Sequence, residues 1–400
     1  MDKPKVVLGV SGGIAAYKAC ELLRRLTESG HEVRVVPTPA SLNFVGAATW
    51  SALSGNPVST DVWESVHEVP HVRIGQGADL VVVAPATADT LARAAHGLAD
   101  DLLTNTLLTA RCPVVFAPAM HTEMWEHPAT QENVATLRRR GCVVIEPAVG
   151  RLTGVDTGKG RLPDPSEIFE VCRRVLARGP GTPDLAGRHV VISAGGTREP
   201  LDPVRYLGNR SSGKQGYALA RTAVARGARV TLIEANTGLP DPAGADVRRA
   251  GTAVQLREAV LEASADADVV VMAAAVADFR PAEYATGKIK KKDGQEPAAV
   301  ALVRNPDILA EVAADRARPG QIVVGFAAET DDVLANGREK LRRKGCDLLV
   351  VNEVGERKTF GSEENEAVVL GADGGETAVP YGPKEALADT VWDLVAARFE

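Results

Sequence analysis

Between residues 193 and 216, the sequence SAGGTREPLDPVRYLGNRSSGKQG contains the residue types that could hold a phosphate group. Gly195 and Gly196 can bring bare backbone close to a ligand, and a Ser-Ser-Gly run at 211–213 precedes a segment with helical spacing. The N–H groups at a helix start favour an anion. Four basic residues add positive charge around this point: Arg198, Arg205, Arg210 and Lys214. The stretch predicts an anion site, and a long surface connection with capping serines is the plainer alternative.

Basic residues recur later in the chain at positions that suit a polyphosphate. Four lysines occupy the five positions from Lys288 to Lys292, after a predicted strand-end loop. Such a run is usually a solvated surface, but at the ligand edge of a sheet its ammonium groups would suit a triphosphate. Lys340 and Lys344 are four residues apart on a predicted helix and therefore share one face. Phe326 ends a predicted strand and could pack against a base, although a buried core phenylalanine is commoner.

The first half of the chain offers a second phosphate site, at a glycine turn after its first predicted strand. Ser11, Gly12 and Gly13 lie between an apolar run and an amphipathic segment, which is where ligands bind in open α/β sheets. The fingerprint G-x-G-x-x-G is absent, and the second strand ends in Pro37-Thr38 rather than in an acid for a ribose hydroxyl. The pattern favours a mononucleotide or flavin phosphate over NAD. By residue type alone, His71 is more often a surface or capping residue than a catalytic base.

Both predicted sites depend on repeated strand, loop and helix units. Short apolar runs alternate with stretches of helical spacing, which is the pattern of a parallel sheet covered by helices. Residues 78–89 and 267–278 resemble each other closely, which indicates two similar domains in tandem. The predicted fold class is α/β, with two tandem Rossmann-like three-layer domains and mostly parallel sheets. A glycine- and proline-rich linker at 178–184 places the domains at residues 1–180 and 185–400.

Two further segments have a distinctive composition. Four glycines between Gly150 and Gly160 predict a loop, because glycine weakens helices and strands; the loop could be a lid or a plain connection. The tail from 360 to 380 alternates in polarity around Asp373-Gly374-Gly375, which predicts a hairpin.

Composition limits the possible partners. The 400 residues carry a net charge of -6, which argues against a general nucleic-acid binder. Five scattered cysteines lack a Cys-x-x-Cys spacing, so the sequence predicts neither a disulfide framework nor a zinc site. No signal segment is recognisable, and no apolar run reaches the ~18 residues that span a bilayer. We expect a cytoplasmic protein that acts on small molecules, with no nucleic-acid or membrane partner.

Several motifs, in this order, resemble a known family over essentially the whole chain. In the first half they are GVSGGIAAYK at 9–18, PATADT at 85–90 and PAMHTEMW at 118–125. In the second half they are TREPLDPVRY at 197–206, N-x-SSG at 209–213, AAAVAD at 273–278, KIKK at 288–291, NPDI at 305–308 and GFAAE at 325–329. The sequence resembles the bifunctional phosphopantothenoylcysteine decarboxylase and phosphopantothenate-cysteine ligase of bacterial coenzyme A synthesis.

For the second half, the resemblance implies a ligase that uses CTP and Mg²⁺. The carboxylate of 4′-phosphopantothenate would be activated as an acyl-cytidylate, which the amine of L-cysteine then attacks. Asn209 would act on the acyl-cytidylate and Lys288 would help to form it, while Arg205 and Arg210 would meet the phosphopantothenate. The residues that would surround CTP are Ala273, Ala274, Asp278, Lys288, Pro306, Asp307, Ile308, Leu309, Phe326, Lys340 and Lys344. The Mg²⁺ ligands stay unassigned.

For the first half, the resemblance implies a decarboxylase that binds FMN. A simple carboxylate has nowhere to leave its electrons, so the flavin would first oxidise the CH2–S group of the substrate. His71 aligns with the family's catalytic base, and Met120 and His121 would bind the substrate. The residues that would hold or surround the FMN phosphate are Ser11, Gly12, Gly13, Thr38, Ala86 and Thr87.

Two positions depart from the family's pattern. His121 stands where asparagine is commonest, and the stretch 153–161 lacks the cysteine that usually serves as proton donor in the lid. One alternative is therefore an active ligase joined to an altered first domain that stops at the ene-thiol. Another is a flavin-binding regulatory subunit. The resemblance also implies a homo-oligomer, in which trimeric decarboxylase domains assemble further and ligase domains pair.

Overall fold

The computed structural model of the chain describes residues 3–60, 69–152, 156–179, 183–290, 299–329, 332–353, 362 and 364–399. The predicted lid tip at Thr153, the linker residues 180–182 and the last two lysines of the 288–292 run lie outside the described residues. The chain divides into two compact units. The first unit contains residues 1–187, 223–229 and 242–245, and the second contains 188–222, 230–241 and 246–400.

In the first half, strands alternate with helices, as the pattern of apolar runs predicts. The strands are β1 (Lys5–Val10), β2 (Glu32–Pro37), β3 (Leu80–Ala86), β4 (Val114–Pro118), β5 (Val143–Val144), β6 (Ala148–Arg151) and β7 (Thr157–Arg161). The helices are α1 (Ala16–Glu28), α2 (Ala47–Ser54), α3 (Pro70–Gln76), α4 (Ala88–His96), α5 (Leu102–Thr109), α6 (Thr122–Glu126), α7 (Pro128–Arg139) and α8 (Pro165–Arg178), with a 3-10 turn at Pro39–Asn43. Within the described residues, β1 to β5 form a parallel sheet in the order β2-β1-β3-β4-β5.

The second half has a longer sheet with the same plan. Its strands are β8 (His189–Gly195), β9 (Arg198–Pro200), β10 (Tyr206–Gly208), β11 (Arg229–Ala235), β12 (Ala245–Arg249), β13 (Val269–Met272), β14 (Phe279–Pro281), β15 (Leu302–Arg304), β16 (Ile322–Glu329), β17 (Leu348–Glu353), β18 (Glu364–Gly371) and β19 (Glu376–Pro383). Its helices are α9 (Lys214–Ala225), α10 (Ala253–Ser264), α11 (Ile308–Ala314), α12 (Val333–Lys344) and α13 (Lys384–Ala396). The main sheet has the order β12-β11-β8-β13-β16-β17-β18-β19. The pairs from β8 to β17 are parallel, and β18 and β19 are antiparallel to their neighbours.

Apolar side chains cover both faces of the first sheet. On one face, Val81 and Val83 of β3 share a buried cluster with Leu91 of α4, Leu103 of α5 and Val134 of α7. On the other face, α1 and α8 pack against each other and against β3. Because successive residues of a strand point to opposite faces, a continuous apolar run such as Leu80–Ala86 is buried on both sides. The predicted α/β fold with mostly parallel sheets is confirmed.

Two segments that the sequence analysis treats as loops contain paired strands. The glycine-rich stretch forms the antiparallel hairpin β6–β7, and the stretch 193–216 includes the antiparallel pair β9–β10. In the first case ion pairs offset the weak strand preference of glycine: Glu146 contacts Lys159 at 2.8 Å and Arg138 at 2.7 Å. Burial by itself raises the pKa of Glu146, but these two cations hold it below its usual value.

The predicted C-terminal hairpin is confirmed in β18 and β19. Gly374 takes a φ of 89° in the turn between them, a left-handed conformation that glycine adopts without strain. His71 lies in the first turn of α3.

Trp50 and Trp392 allow the stability of each of the two units to be tested separately. Each side chain is fully buried, and each indole N–H donates to a backbone carbonyl at 3.1 Å, that of Val45 and that of Leu219. We expect Trp392→Phe to lower stability by about 1–3 kcal/mol, because it empties volume and removes a buried hydrogen bond. Hydrogen exchange of the full chain should rise mainly in residues of the second unit, and Trp50→Phe should act mainly on the first. An equal rise in both units for either variant would contradict this expectation.

Candidate active sites

Ser11 ties together two loops at the carboxyl edge of the first sheet. Its buried hydroxyl donates to the carbonyl of Pro85 at 2.7 Å and accepts from the N–H of Thr87 at 2.9 Å. The N–H of Ala119 in turn donates to the carbonyl of Ala86 at 3.0 Å. The loops after β1, β3 and β4 therefore meet at one edge, as predicted. The hydroxyl of Ser11 serves as a tie between loops, and its predicted contact with a flavin phosphate stays a prediction.

The turn after β1 forms a cradle of backbone N–H groups. A Cβ atom on Gly12 would lie 2.6 Å from the Cβ of Ala40, so only glycine fits beside the 3-10 turn. Within the described residues, the N–H groups of Gly12 and Gly13 make no backbone hydrogen bond, and helix α1 begins without a side-chain cap. The Oγ1 atom of Thr38 is also buried, and it has no hydrogen-bond partner among the described residues. Exposed amides at a helix start and an unpaired hydroxyl fit an anionic phosphate group.

Other residues predicted for the first site lie on the loops after β3 and β4 and in the first turn of α3. Thr87 caps α4 by accepting from the N–H of Thr90. The N–H of Met120 donates to the carbonyl of Gly160 at 2.9 Å, which joins the β4 loop to the β6–β7 hairpin, and His121 precedes α6. The Nδ1 atom of His71 is buried without a partner in the described part of the chain, and its carbonyl accepts from Thr109 of α5 at 2.8 Å.

A cavity of about 780 Å³ opens at the carboxyl edge of the second sheet, within the second unit. Its walls come from the loops after β10, β13 and β15, from the carboxyl-terminal parts of β16 and β17, from the starts of β18, α9, α11 and α13, and from one face of α12. The predicted residues that line it are Asn209, Arg210, Ala273, Ala274, Asp278, Pro306, Asp307, Ile308, Leu309, Phe326, Lys340 and Lys344. Residues that are distant in sequence are thus brought to one place. Lys288 and Arg205 are not among its lining residues.

The cavity is strongly cationic. Among the described residues, seven basic side chains line it against two acidic ones, Asp278 and Asp307. Three of the basic residues were not singled out for this site from the sequence: Arg304, Arg343 and Lys384. Since the chain as a whole carries a net charge of -6, this concentration of positive charge favours a polyanionic ligand.

Hydrogen bonds fix the loops of the cavity. Asn209 donates from Nδ2 to the carbonyl of Val276 at 2.9 Å, and Asn305 donates to that of Ala277 at 2.8 Å. Asp307 caps α11 by accepting from the N–H of Ala310, and it also pairs with Lys344 of α12. The capping carboxylate therefore sets the position of a predicted nucleotide-binding lysine.

Arg205 and the segment of Lys288 are joined by Asp202. The Asp202 carboxyl accepts from the N–H groups of Val204 and Arg205 at 2.8 Å and from that of Ile289 at 3.1 Å. The Arg205 guanidinium donates to the carbonyl of Ile289 at 3.1 Å. Burial by itself raises the pKa of Asp202, but these backbone donors and then Arg205 lower it below its usual value. Two residues predicted to act on the substrate thus share one anchor, although Lys288 itself is exposed.

Family models match both halves of the chain. The Flavoprotein model matches residues 1–177, and the model "DNA/pantothenate metabolism flavoprotein C-terminal domain" matches residues 185–399. The coenzyme A biosynthesis bifunctional protein CoaBC of Mycolicibacterium smegmatis is 61% identical over 99% of this chain and 98% of its own length. The chain belongs to the CoaBC family. The CoaBC protein of Vibrio vulnificus is 43% identical over 96% of this chain and 95% of its own length.

Solved structures resemble the two halves separately. A C-terminal domain of CoaBC is 32% identical, covers 54% of this chain and 97% of that domain, and gives a TM-score of 0.46. The FMN-dependent cysteine decarboxylase SpaF is 35% identical, covers 44% of this chain and 96% of its own, and gives a TM-score of 0.37.

Membership of the CoaBC family confirms two predictions from the sequence: a bifunctional enzyme of coenzyme A biosynthesis, and a flavoprotein first half. It does not favour the alternative of a regulatory or altered first domain. In the described part of the chain, no helix combines the length and apolar character needed to cross a membrane. Nor do the described residues bring three or more His, Cys, Asp or Glu side chains together where they could hold a metal ion.

Because a side chain at Gly12 would collide with the 3-10 turn, a substitution at this position tests how the chain retains flavin. We expect Gly12→Ala to lose most of its bound flavin, because the added Cβ must push the 3-10 turn away from the phosphate cradle. The measurement is flavin absorbance per chain in the purified protein. Gly46→Ala is the matched control, since no atom lies within 4 Å of its added Cβ and its φ of -70° suits alanine. Equal flavin content in both variants would contradict the proposed cradle.

The pKa of Asp202 makes the anchor testable. Because its pKa is lowered on folding, its contribution to stability is present above the unfolded pKa and is lost as pH falls through the folded value. We expect Asp202→Asn to be less stable than the native chain at neutral pH, and the difference to shrink below about pH 4, where an unfolded aspartate protonates. Urea unfolding across this range measures it. A difference that does not change with pH would mean that the charge of Asp202 contributes nothing.

Proposed function

We propose that residues 185–400 form a ligase that joins 4′-phosphopantothenate to L-cysteine with CTP as co-substrate. A carboxylate is a poor electrophile. One oxygen of the 4′-phosphopantothenate carboxylate would therefore first attack the α-phosphorus of CTP, and diphosphate would leave. The cysteine amine would then attack the acyl carbon of the resulting acyl-cytidylate and release CMP. Both steps handle several negative charges at once.

The observation that carries this proposal is the cationic cavity of the second unit. Basic side chains of this cavity, among them Lys214, Lys340 and Lys344, suit a triphosphate and an acyl phosphate together within about 780 Å³. The start of α9 and the Ser211–Gly213 turn also line it, and their N–H groups would bind phosphate oxygens. Phe326 lies in the cavity wall within β16, where its ring would pack against the base.

Within the cavity, the proposed roles differ with position. Asn209 would hold the acyl-cytidylate, and Arg210 would bind the phosphopantothenate. Lys288 and Arg205 would act from the segment anchored by Asp202. Mg²⁺ would bind chiefly through phosphate oxygens of the nucleotide, as this ion commonly does.

We propose further that residues 1–180 form a decarboxylase that converts 4′-phosphopantothenoylcysteine to 4′-phosphopantetheine and holds FMN. When bound, FMN would supply the two-electron oxidation of the CH2–S group that lets the carboxylate leave. The cradle at Gly12 and Gly13 would bind its phosphate, with Thr38 beside it. The unpartnered Nδ1 of His71 would accept a proton, and His121 with Met120 would bind the substrate.

The active form would be a homo-oligomer of paired ligase domains and of decarboxylase trimers that assemble further. Ile14, just before α1, and Tyr17, in its first turn, are 66% and 59% exposed, and two neighbouring apolar side chains beside the flavin cradle suit a subunit contact. Light scattering on the purified protein would give the subunit number. A cytoplasmic location stays a prediction from the sequence.

A mass-resolved product assay tests both reactions. The purified protein is given 4′-phosphopantothenate, L-cysteine and Mg²⁺ with either CTP or ATP. We expect CTP to yield 4′-phosphopantetheine and carbon dioxide, and ATP to yield much less. Accumulation of 4′-phosphopantothenoylcysteine, or of an oxidised decarboxylated thiol, would support the ligase and overturn the complete decarboxylase reaction.

Lys344 tests whether the cavity binds the nucleotide. We expect Lys344→Met to raise the KM for CTP by about tenfold or more, since one charge-assisted hydrogen bond is worth roughly 1.5–3 kcal/mol. Arg338→Met on the same helix is the control, because Arg338 lies outside the cavity lining and pairs with Glu376 at an exposed site. Equal KM values for CTP in the two variants would contradict nucleotide binding by Lys344.

A further inference from the structure

One wall of the cavity carries three polar side chains that neither the motifs nor the proposed nucleotide contacts explain. Asn352, Asn365 and Lys384 form this wall, which we name the amide wall, and they are only 7%, 4% and 5% exposed. Asn352 ends β17, Asn365 lies at the start of the antiparallel strand β18, and Lys384 begins α13 after β19. All three therefore stand at the same edge of the sheet.

The strand register places the two asparagines on one face. Val351 pairs with Val368, so Asn352 and Asn365 point to the face opposite Val351 and the cluster of buried residues around it. Ala328 of β16 pairs with Asn352, and Phe326 is on the same face two residues earlier. The amide wall is thus continuous with the place proposed for the base and the acyl group.

A chain of hydrogen bonds fixes how Asn365 is turned. The carbonyl of Lys384 accepts from Nε2 of Gln215 at 3.0 Å, so the Oε1 atom of Gln215 faces the other way and accepts from Nδ2 of Asn365 at 3.4 Å. A carbonyl oxygen has no hydrogen to donate, and it therefore sets both amide orientations. This leaves the Oδ1 atom of Asn365 facing away from Gln215.

Two buried acceptors are left without donors. Within the described residues, the Oδ1 atoms of Asn352 and Asn365 are both buried and have no hydrogen-bond partner. Such atoms are uncommon in folded proteins and costly to keep, so they point to a ligand that donates hydrogen bonds. A phosphate group has only acceptors to offer at neutral pH and does not satisfy them.

Lys384 places a cation beside these acceptors. Its Nζ donates to the carbonyl of Glu364 at 3.0 Å, and the residue stands in the first turn of α13, at the positive end of the helix dipole. A carboxylate bound at this wall would be stabilised by this ammonium and by the start of α13. The amide wall therefore offers acceptors for an amino group next to a cation for a carboxylate.

We propose that the amide wall is the subsite for the α-amino acid substrate. The proposal deepens the ligase function given above and rests on it. The amine of cysteine donates to the Oδ1 atoms of Asn352 and Asn365, and its carboxylate binds Lys384. Once the bound ammonium group has released one proton to water, its two remaining N–H donations leave the nitrogen lone pair directed at the acyl carbon. The C–N bond then forms, the bond from the acyl carbon to the phosphate oxygen breaks, CMP leaves with that electron pair, and water takes the amine's surplus proton.

The test separates amino-acid binding from nucleotide chemistry. Asn352→Leu and Asn365→Leu keep the side-chain volume and remove the acceptors, Asn352→Asp keeps an acceptor, and the exposed Asn336→Leu on α12 is the control. We expect each acceptor-removing variant to raise the KM for cysteine about tenfold or more, from the loss of a hydrogen bond to a charged group. The KM values for CTP and 4′-phosphopantothenate should stay within a factor of about two. Asn352→Asp should stay near the native KM for cysteine.

A second readout uses the first half-reaction alone. Exchange of labelled diphosphate into CTP, with 4′-phosphopantothenate present and cysteine absent, should match the native rate in every variant. If the native chain shows no exchange, the proposed ligase function fails and not the subsite. If the variants exchange slowly or raise the KM for CTP, the amide wall binds the nucleotide base or phosphates, and the subsite proposal is overturned.

Lys384→Met tests the contact with the carboxylate. Its measurement is the preference for cysteine over cysteamine, which a purely structural role of Lys384 would not change. The native chain should prefer cysteine to cysteamine, which lacks the carboxylate, and the variant should lose about tenfold of that preference. An unchanged preference would overturn the assignment of Lys384, and thermal unfolding of each variant checks that it is folded.

Discussion

Buried hydroxyl groups hold the ligand edge together in both units. In the first unit, Ser11 bridges the carbonyl of Pro85 and the N–H of Thr87. In the second, the Ser193 hydroxyl accepts from the N–H of Ala274 at 3.1 Å, and that of Thr197 accepts from the N–H of Ala277 at 3.0 Å. Backbone hydrogen bonds already join some of these loops, as where the N–H of Ala275 donates to the carbonyl of Gly195 at 2.8 Å. The hydroxyl groups bind N–H groups that lie beyond the strand ladder, and they therefore fix the parts of the loops that the ladder does not reach.

The residues that sequence reasoning placed well are those at strand ends and on regular helices. Parallel strands bring their carboxyl ends to one edge whatever the distance along the chain, so Asp278 and Phe326 converge without any further information, whereas Pro306 follows β15 of the separate β14–β15 pair. Lys340 and Lys344 follow from helical spacing alone. The fold class was readable for the same reason, since long apolar runs such as Leu80–Ala86 require burial on both faces.

What the sequence could not reveal depends on side-chain contacts between distant segments. Asn365 and Lys384 lie in and after a C-terminal hairpin with no motif, and only the antiparallel register brings them to the cavity. The hairpin β6–β7 depends on ion pairs of Glu146, which spacing does not encode. Spacing does not encode the contacts of the Ser11 hydroxyl with the loop after β3 either, and the predicted role of Ser11 at a flavin phosphate stays a prediction. Lys288 has a basic neighbourhood in sequence but an exposed place outside the cavity lining.

The contacts at the base of the β6–β7 hairpin allow the residues between its two strands to change during evolution. Glu146 forms an ion pair with Lys159 of the hairpin, and the carbonyl of Gly160 accepts a hydrogen bond from the N–H of Met120. These contacts at the base of the hairpin do not involve the residues between its strands. Selection can therefore replace a chemically active residue at the tip without dismantling the support beneath it. A proton-donating side chain between β6 and β7 can thus be gained or lost while the contacts at the base of the hairpin stay in place.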